Sequence, residues 1–388
     1  MSQFDHQHHK PIIIRASTVP LSLHIFCNGV LKELSERYEV IGLSSPGELL
    51  DEVAKHEGVK TIALPMARHI SPWHDIVSLW NLVKVFRKEQ PQMVHSMTPK
   101  AGLLCMVAGW LARVPVRVHT FTGLVFPSAI GLKRKILMLT DSLTCRCATH
   151  VLSEGEGVKA DLMRHNISNK PIRVLGNGNV RGVDMAHYSR RPEVMKLANG
   201  LRDDNRFTFV FVGRVVRDKG INELCEAFVR LHEEHPQTRL WMVGPWEDDV
   251  DPISETARRT IEACNDIQTV GFIEGDELLA YYASADCYVF PSYREGFPNT
   301  VLEAGAMGLT CIVTDINGSR EIIEEGKNGT IIPTKDVDAL YESMKRMVED
   351  TDWRTKLSGN ARQMVESRYE QGYVRQCLYE FYQEILGS

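Results

Sequence analysis

Short apolar runs alternate with longer amphipathic stretches over most of the 388-residue chain. In the first half the runs have the length of strands, and the stretches between them carry apolar residues at helical spacing. Strands that alternate with helices form a parallel sheet with helices on its faces, so the pattern predicts a doubly wound α/β domain. The predicted strands cover residues 11–16, 38–43, 61–64, 93–95 and 116–120.

A second alternation of the same kind begins after Asn205. The charged stretch 181–206 between the two is predicted to be a loop, and a last amphipathic helix is predicted at 371–386. The chain is therefore predicted to form two doubly wound domains. The strands of the second are predicted from the strings F-T-F-V-F-V-G, R-L-W-M-V-G, Q-T-V-G-F, C-Y-V-F-P-S, T-C-I-V-T-D and G-T-I-I-P.

Composition excludes several classes of protein. A net charge of −5 at pH 7 argues against a nucleic-acid-binding protein. The longest apolar run, 103–112, is too short to cross a bilayer, and the polar N-terminus lacks the apolar core of a signal peptide. The nine cysteines lack the paired spacing of a zinc site, so we expect reduced cysteines in a cytoplasmic protein. His6, His8 and His9 are expected to belong to a frayed terminus rather than to a metal site.

Two glutamates eight positions apart, Glu295 and Glu303, give the strongest functional signal. Glu295 follows a predicted strand, and Glu303 lies about one turn into a helix that is predicted to start on a capping Asn299. Open parallel sheets bind ligands at the carboxyl ends of their strands, and a helix N-terminus suits phosphate. Because carboxylates accept hydrogen bonds from hydroxyl groups, the stretch predicts a nucleotide-sugar site. A surface pair of glutamates is the alternative.

A second motif, F-V-G-R-V-V-R-D-K-G at 211–220, places Gly213, Arg214 and Lys219 between a strand and a helix. Glycine permits a tight turn, arginine offers a planar fork of donors to phosphate oxygens, and lysine adds a compact charge. Two solvated cations at a strand end are the alternative for this motif by itself. Since Glu295 belongs to the same predicted sheet, we expect both motifs to face one crevice.

The string P-S-Y-R-E-G-F-P-N-T-V-L-E-A resembles the E-x7-E signature of the retaining glycosyltransferases of family 4, which have the GT-B fold. Three further strings, V-H-S-M-T-P-K-A-G-L-L, A-R-H-I-S-P and V-L-G-N-G-N-V-R-G-V-D, resemble the bacterial branch that builds capsules, O-antigens and exopolysaccharides on a lipid carrier. The resemblance implies two Rossmann-like domains that face each other across a cleft, with the final helix returning to the first. We expect an acceptor-side domain at 1–190 plus about 370–388, and a nucleotide-sugar-binding domain at 191–369.

The resemblance also implies roles for single residues. Arg214 and Lys219 would hold the donor diphosphate, Glu295 would meet the donor sugar, and Glu303 would bind the ribose. The backbone of 270–276 would recognise the base, with plain sheet core as the alternative for that segment. The residues expected at the donor are Gly213, Arg214, Lys219, Phe272, Ile273, Glu295, Gly296, Phe297, Pro298, Asn299, Thr300 and Glu303.

UDP is the expected base of the donor, since it is the commonest in the resembling family, and GDP stays open. Arg214 and Lys219 supply the positive charge that a leaving diphosphate needs, so we expect no metal and no other cofactor to be required. Asp249 and Asp251 have the D-x-D spacing of a metal–diphosphate motif. They lie in an acidic loop, W-E-D-D-V-D-P, without the flanking strand residues of that motif.

On the acceptor side, His119 is predicted to end a strand, and the resemblance places it near the transferred sugar. A hydrogen-bonded structural histidine is the alternative. His95 and Lys100 are acceptor-side candidates on the same grounds, with surface residues at a helix N-terminus as the alternative. Many relatives have a glycine-rich loop before the first helix, whereas this chain has only Gly29 there, so a diphosphate contact from that loop stays open.

One stretch combines basic and apolar residues. Between Lys100 and His150, seven lysines and arginines accompany a single acid, Asp141. The apolar segments G-L-V-F-P-S-A-I-G-L and I-L-M-L lie between them. Such a face suits an anionic membrane surface. A partly buried helix with solvated lysines is the alternative.

These observations predict a retaining, metal-independent glycosyltransferase. It would move a UDP-linked hexose or N-acetylhexosamine to a growing bacterial surface glycan on a polyprenyl-diphosphate carrier. We expect it in the cytoplasm, without a nucleic-acid partner, and a peripheral association with the inner face of the cell membrane stays open. A nucleotide-sugar 2-epimerase of the same fold and a non-catalytic glycosyltransferase-like subunit are the alternatives. The donor sugar, the linkage and the oligomeric state stay open.

Overall fold

The structure is a computed structural model that describes residues 10–67, 71–249 and 251–387. The chain divides into two compact units. One runs from the N-terminus to Arg181 and resumes at Val374, and the other spans Gly182–Tyr373. The sequence-based prediction places the corresponding limits at residues 190 and 370. The three N-terminal histidines and part of the string A-R-H-I-S-P lie outside the described residues.

The first unit is built on a seven-stranded parallel sheet in the order β3-β2-β1-β4-β5-β6-β7. The five strands predicted from the sequence are present with small shifts of their ends. The prediction missed β6 and β7, and β7 has only two residues, too few to show a pattern. The strands are β1 (Ile12–Ala16), β2 (Glu39–Ser44), β3 (Lys60–Ala63), β4 (Met93–Ser96), β5 (Val116–Phe121), β6 (His150–Ser153) and β7 (Ile172–Arg173).

In the described part of this unit, seven α-helices precede Gly182. The first helical stretch predicted from the sequence is broken at Gly29, whose positive φ of 75° starts a second helix. The helices are α1 (Pro20–Cys27), α2 (Val30–Ser35), α3 (Glu48–Glu57), α4 (Pro72–Glu89), α5 (Pro99–Ala112), α6 (Gly131–Cys147) and α7 (Glu156–Arg164).

The second unit is built on a six-stranded parallel sheet in the order β10-β9-β8-β11-β12-β13. All six strands predicted from the sequence are present. Phe209, Val210 and Phe211 of β8 are fully buried, as expected of a central parallel strand that has helices on both faces. The strands are β8 (Phe207–Val212), β9 (Thr238–Val243), β10 (Ile267–Gly271), β11 (Cys287–Phe290), β12 (Thr310–Thr314) and β13 (Gly329–Ile332).

One helix of this unit lies where the sequence predicts a loop. It begins at Pro192, and its Val194 and Ala198, one turn apart, are buried in the core of the unit, which explains why a charged stretch folds as a helix. The helices are α8 (Pro192–Leu201), α9 (Ile221–Glu234), α10 (Glu255–Ala263), α11 (Gly275–Ser284), α12 (Asn299–Ala306), α13 (Ser319–Ile322), α14 (Val337–Glu349) and α15 (Thr351–Tyr369).

The final helix, α16 (Gln371–Leu386), has the limits predicted from the sequence. From Val374 onward it belongs to the first unit. Its Leu378, Phe381 and Tyr382 are buried in a core cluster with residues of β1 and α1. No helix among the described residues combines the length and the hydropathy that a bilayer span requires.

Both sheets reverse their winding at the centre. The reversal falls between β1 and β4 in the first unit and between β8 and β11 in the second. In open parallel sheets, ligands bind in the crevice outside the carboxyl ends of the strands at such a switch point. The fold therefore predicts one ligand crevice in each unit, and the residues that follow β8 and β11 are the first to consider.

Candidate active site

The predicted residues Gly213, Arg214 and Lys219 lie in the turn that connects the end of β8 to the start of α9. The amide of Val215 donates a hydrogen bond of 2.8 Å to the carbonyl of Pro245, which ties the turn to the loop after β9. A short 3-10 helix, Arg217–Lys219, then leads to Gly220 at the start of α9, where φ is 74°. A side chain at Gly220 would collide with the carbonyl oxygen of Pro291, so glycine allows the turns after β8 and β11 to meet.

The loop from Pro291 to Pro298 presents Glu295. The amide of Tyr293 donates a hydrogen bond of 2.8 Å to the carbonyl of Asp218, which holds this loop against the turn after β8. On the other side Gly318 has a φ of 73°, and a Cβ there would lie 2.7 Å from the carbonyl oxygen of Gly296. Backbone contacts on both sides thus fix the loop that carries the first glutamate of the E-x7-E motif.

Lys219 and Glu295 form an ion pair inside this crevice. Their side chains are only 13 and 18 % exposed. The hydroxyl of Ser292 donates a second hydrogen bond of 2.8 Å to the same carboxylate, and the lysine ammonium lies 5.3 Å from the ring centre of Phe290. The structure therefore brings two residues predicted from separate motifs into direct contact.

Arg214 points to a carboxylate that the sequence analysis missed. Its guanidinium donates a hydrogen bond of 2.7 Å to Glu247, and the two side chains are 41 and 35 % exposed. Burial works against the charged form of Arg214, but the bond to Glu247 outweighs it and raises the arginine pKa above its ordinary value. Glu247 belongs to the acidic loop W-E-D-D-V-D-P, but no spacing along the chain relates it to Arg214.

The same acidic loop supports the turn that holds Lys219. Asp251 forms an ion pair of 2.7 Å with Arg217, and its carboxylate accepts a hydrogen bond of 2.8 Å from the amide of Asp218. Asp251 is thus engaged with protein groups, and Asp248 pairs with Arg258 at 2.7 Å. Among the residues that the structure describes, no three or more metal-ligating side chains cluster.

Glu303 lies on the buried side of α12, with 6 % of its surface exposed. The hydroxyl of the fully buried Tyr282 donates a hydrogen bond of 3.3 Å to its carboxylate. Burial, reinforced by the charge of Glu303, holds the Tyr282 pKa well above its ordinary value, so the hydroxyl stays a donor at neutral pH. Tyr282 on α11 is a residue that the sequence analysis did not identify.

The start of α12 differs from the prediction in one respect. Asn299 is the first helical residue, and Pro298 occupies the capping position, so Asn299 does not cap the helix. Because proline has no side-chain acceptor, it leaves the first amides of α12 uncapped by its own side chain. Thr300 Oγ1 lies 2.8 Å from the hydroxyl of Tyr288, which is also 3.2 Å from the carbonyl of Val212 at the end of β8.

Of the remaining residues expected at the donor, Phe297 is buried beside α12, whereas Phe272 is 70 % exposed. β10 ends at Gly271, so Phe272 lies beyond the strand and is not sheet core. Ile273 packs partly against the core of the unit. A contact between this segment and the nucleotide base stays a prediction. The exposed ring of Phe272 offers an apolar surface for such a contact.

His119 does not end its strand as predicted, because β5 continues to Phe121. Its ring is buried, its Nδ1 lies 2.9 Å from the Ser96 hydroxyl, and burial lowers its pKa to about 3, so the imidazole is neutral at physiological pH. A side chain at Gly102 of α5 would collide with the ring. These contacts are those of a structural histidine, and a contact with the sugar stays a prediction.

His95 and Lys100 are not free surface residues. His95 is buried on β4, where its ring contacts Tyr382 and Thr120. Lys100, the second residue of α5, forms a partly buried ion pair of 2.5 Å with Asp75 of α4. The alternative of exposed helix N-terminal residues is therefore wrong for His95.

Comparison with known proteins covers both units. Residues 26–178 match the family model of the glycosyl transferase 4-like domain, and residues 196–364 match that of the glycosyl transferases group 1. The capsular polysaccharide biosynthesis glycosyltransferase CapM of Staphylococcus aureus is 28 % identical over 346 residues, which are 89 % of each chain. A UDP-Gal:alpha-D-GlcNAc-diphosphoundecaprenol alpha-1,3-galactosyltransferase of Escherichia coli is 27 % identical over 305 residues, 76 % of each chain.

Among solved structures, HepE of Anabaena in complex with UDP-glucose superposes with a TM-score of 0.81. The match covers 96 % of this chain and 100 % of that one, at 17 % sequence identity. At this identity the likeness shows the fold alone. Together with the two parallel sheets, it confirms the GT-B fold predicted from the sequence.

Proposed function

The chain is a family 4 glycosyltransferase of the GT-B fold, and we propose that it transfers a sugar from a UDP-sugar to a lipid-diphosphate-linked surface glycan with retention of configuration. The observation that carries the proposal is the ion pair of Lys219, in the turn after β8, with Glu295, in the loop after β11. Arg214 lies in the same turn as Lys219, and Glu303 lies on the helix that follows Glu295. Cations and carboxylates in one crevice beside a helix N-terminus match the diphosphate and hydroxyl groups of a nucleotide sugar.

UDP as the base is supported by two of the similar proteins. The name of the E. coli relative specifies UDP-galactose, and the HepE crystals contain UDP-glucose. The 2-epimerase alternative finds no support in these relatives, which are glycosyltransferases. The exposed ring of Phe272 offers a surface on which the uracil base can stack.

We assign the chemistry as follows. The acceptor hydroxyl attacks the anomeric carbon from the face that the diphosphate leaves, the bond between that carbon and the diphosphate oxygen breaks, and the acceptor proton passes to the departing phosphate. Arg214 and Lys219 stabilise the negative charge on that phosphate, Glu295 orients the donor sugar, and Glu303 holds the ribose. Because the two cations supply the charge, the proposal requires no metal ion.

Both cations are paired with carboxylates, Lys219 with Glu295 and Arg214 with Glu247. A diphosphate must therefore replace these carboxylates as it enters. The exchange releases Glu295 to bind the hydroxyl groups of the sugar. Donor binding and the orientation of the sugar are thus linked through one ion pair.

We assign the acceptor to the first unit and its lipid to an anionic membrane surface. Along α6 the exposed apolar residues Leu132, Ile136, Leu139 and Leu143 follow helical spacing, and Lys133 and Lys135 are exposed beside them. An apolar stripe flanked by lysines is typical of a helix that lies in a membrane interface. The alternative of a partly buried helix fits this surface less well, since the apolar side chains themselves are exposed.

The membrane assignment predicts flotation with liposomes that contain anionic lipid, and flotation should fall as salt rises. Replacing Leu132 and Leu139 by serine should abolish it without changing UDP binding. Equal flotation on neutral and anionic liposomes would count against the electrostatic part of the assignment.

Donor turnover tests the central proposal. Purified protein with EDTA and no acceptor is incubated with a panel of UDP- and GDP-sugars, and release of the nucleoside diphosphate is followed. We expect slow hydrolysis of one UDP-sugar, lost in Glu303→Ala. A donor that turns over only when a divalent metal is restored would contradict metal independence. No release from any donor, with no thermal shift from UDP or GDP, would refute the nucleotide site.

A further inference from the structure

The switch point of the first unit, between β1 and β4, also has a cavity. Its volume is about 30 Å³, and it lies at the carboxyl-terminal parts of β1, β4, β5 and β6. By the same rule that applies to the second unit, this is where a ligand of the first sheet is expected. The polar residues that line it are Arg15, His95, Thr120, Ser153 and Asn179.

Arg15 is a buried charge without a carboxylate partner. Its side chain is 1 % exposed, and none of the carboxylates in the described residues pairs with it. Its guanidinium instead contacts neutral groups, with 2.7 Å to the Tyr382 hydroxyl, 2.9 Å to the sulfur of Met97 and 3.5 Å to that of Cys27. The Nε of Arg15 is buried and has no hydrogen-bond partner. A buried unpaired charge is costly, so this arrangement calls for an anion.

The hydrogen bonds around Arg15 fix the tautomer of His95 and leave one hydroxyl proton for a ligand. His95 Nδ1 lies 3.3 Å from the Arg15 guanidinium and 2.6 Å from the Tyr382 hydroxyl. Because a guanidinium only donates hydrogen bonds, this nitrogen is an acceptor. Burial, with the charge of Arg15, holds the His95 pKa well below its ordinary value, so the ring is neutral and its proton is on Nε2. Nε2 then donates to Thr120 Oγ1 at 2.7 Å. The hydroxyl proton of Thr120 is left to donate to a ligand in the cavity.

From this geometry we propose that the cavity binds an anionic group of the acceptor, either a uronic acid carboxylate or a phosphate oxygen pair. The inference rests on the proposed function, since it assigns the ligand of the first unit to the acceptor. A volume of about 30 Å³ accommodates roughly two water-sized atoms, which is the size of the two oxygens of a carboxylate. Arg15 lines the cavity and supplies the positive charge that attracts them, and Thr120 donates a hydrogen bond.

The test uses the full chain with UDP at saturation, so that the donor crevice is occupied and only a second site responds. Thermal shifts are titrated with glucuronate, inorganic phosphate and neutral glucose at matched ionic strength. We expect the dissociation constant of glucuronate or phosphate to lie about tenfold or more below that of glucose, because hydrogen bonds to charged groups are the stronger ones. A stronger response to glucuronate assigns the site to a uronic acid, and a stronger response to phosphate assigns it to an acceptor phosphate.

Arg15→Met should abolish the difference between charged and neutral ligands while the UDP shift persists. Arg37→Met, which removes an exposed arginine of the same unit, should leave that difference unchanged. If Arg15→Met does not fold, Thr120→Val should weaken the anion response several-fold. Equal shifts for glucuronate, phosphate and glucose in the wild-type protein would overturn the inference. Absence of a UDP shift would overturn the donor site instead, so the two failures are distinguishable.

Discussion

Replacing Glu247 by glutamine should tighten the binding of UDP. Glu247 pairs with Arg214 at 2.7 Å, and we propose that Arg214 must leave this carboxylate to bind the diphosphate. Glutamine keeps the size of the side chain and removes its charge. The ion pair then no longer competes with the nucleotide.

The magnitude follows from the exposure of the pair. Both side chains are more than one third exposed, and surface ion pairs of this kind contribute about 0.2–1 kcal/mol. Since 1.4 kcal/mol corresponds to a factor of ten, the dissociation constant of UDP should fall by up to about fivefold. The gain should shrink at high salt, where an exposed pair is screened.

Calorimetric titration of UDP at low and high salt measures the effect. Asp248→Asn is the matched control, because Asp248 lies in the same loop, carries the same charge and pairs with Arg258 instead. Any general effect of one lost negative charge will appear in both variants. If Glu247→Gln binds UDP no more tightly than Asp248→Asn, the competition between Glu247 and the diphosphate is refuted.

Three further predictions concern Arg214, Tyr282 and Asp141. Arg214→Ala should raise the barrier to transfer by about 2–4 kcal/mol if it resembles other lost oxyanion donors, and unchanged turnover at saturating donor would remove it from the site. Tyr282→Phe deletes the hydrogen bond to the buried Glu303, so calorimetry should show UDP binding weakened by about 0.5–1.5 kcal/mol. Burial raises the pKa of Asp141 from 3.8 to about 7, so its ionisation costs the folded state stability as pH rises between these values. The free energy of unfolding of Asp141→Asn should therefore exceed that of the wild type by up to about 4 kcal/mol at pH 8 and by little at pH 4. Urea denaturation over this pH range measures the difference, and parallel pH profiles of the two proteins would contradict the prediction.

Much of the fold follows from local sequence pattern. The six strands of the second unit are apolar runs that are bounded by turn residues, and burial on both faces of a parallel sheet requires such runs. The same rule fails for β7, because Ile172–Arg173 is too short to show any period. Local pattern also misses α8, because the charged composition of this stretch favours a loop. Burial of Val194 and Ala198 in the core nevertheless stabilises a helix there.

The candidate site was predictable in its cations and its two glutamates, because Arg214, Lys219, Glu295 and Glu303 occur at fixed spacing after strands. Their partners were not. Glu247 reaches Arg214 from the loop after β9, and Tyr282 reaches Glu303 from α11, and no spacing along the chain relates these positions. Only the order of the strands in the sheet brings them together.

Local sequence patterns are enough to predict the two doubly wound domains, the residues that follow β8 and β11, and the family. They are enough because strand and helix periods and short motifs are properties of neighbouring residues. Which charged side chains pair with each other depends on the three-dimensional fold. Lys219 pairs with Glu295. Arg15 is instead buried among neutral groups, and one of them, the hydroxyl of Tyr382, lies 367 residues away in the sequence. Such contacts depend on long-range packing, which the chain specifies only through the complete fold.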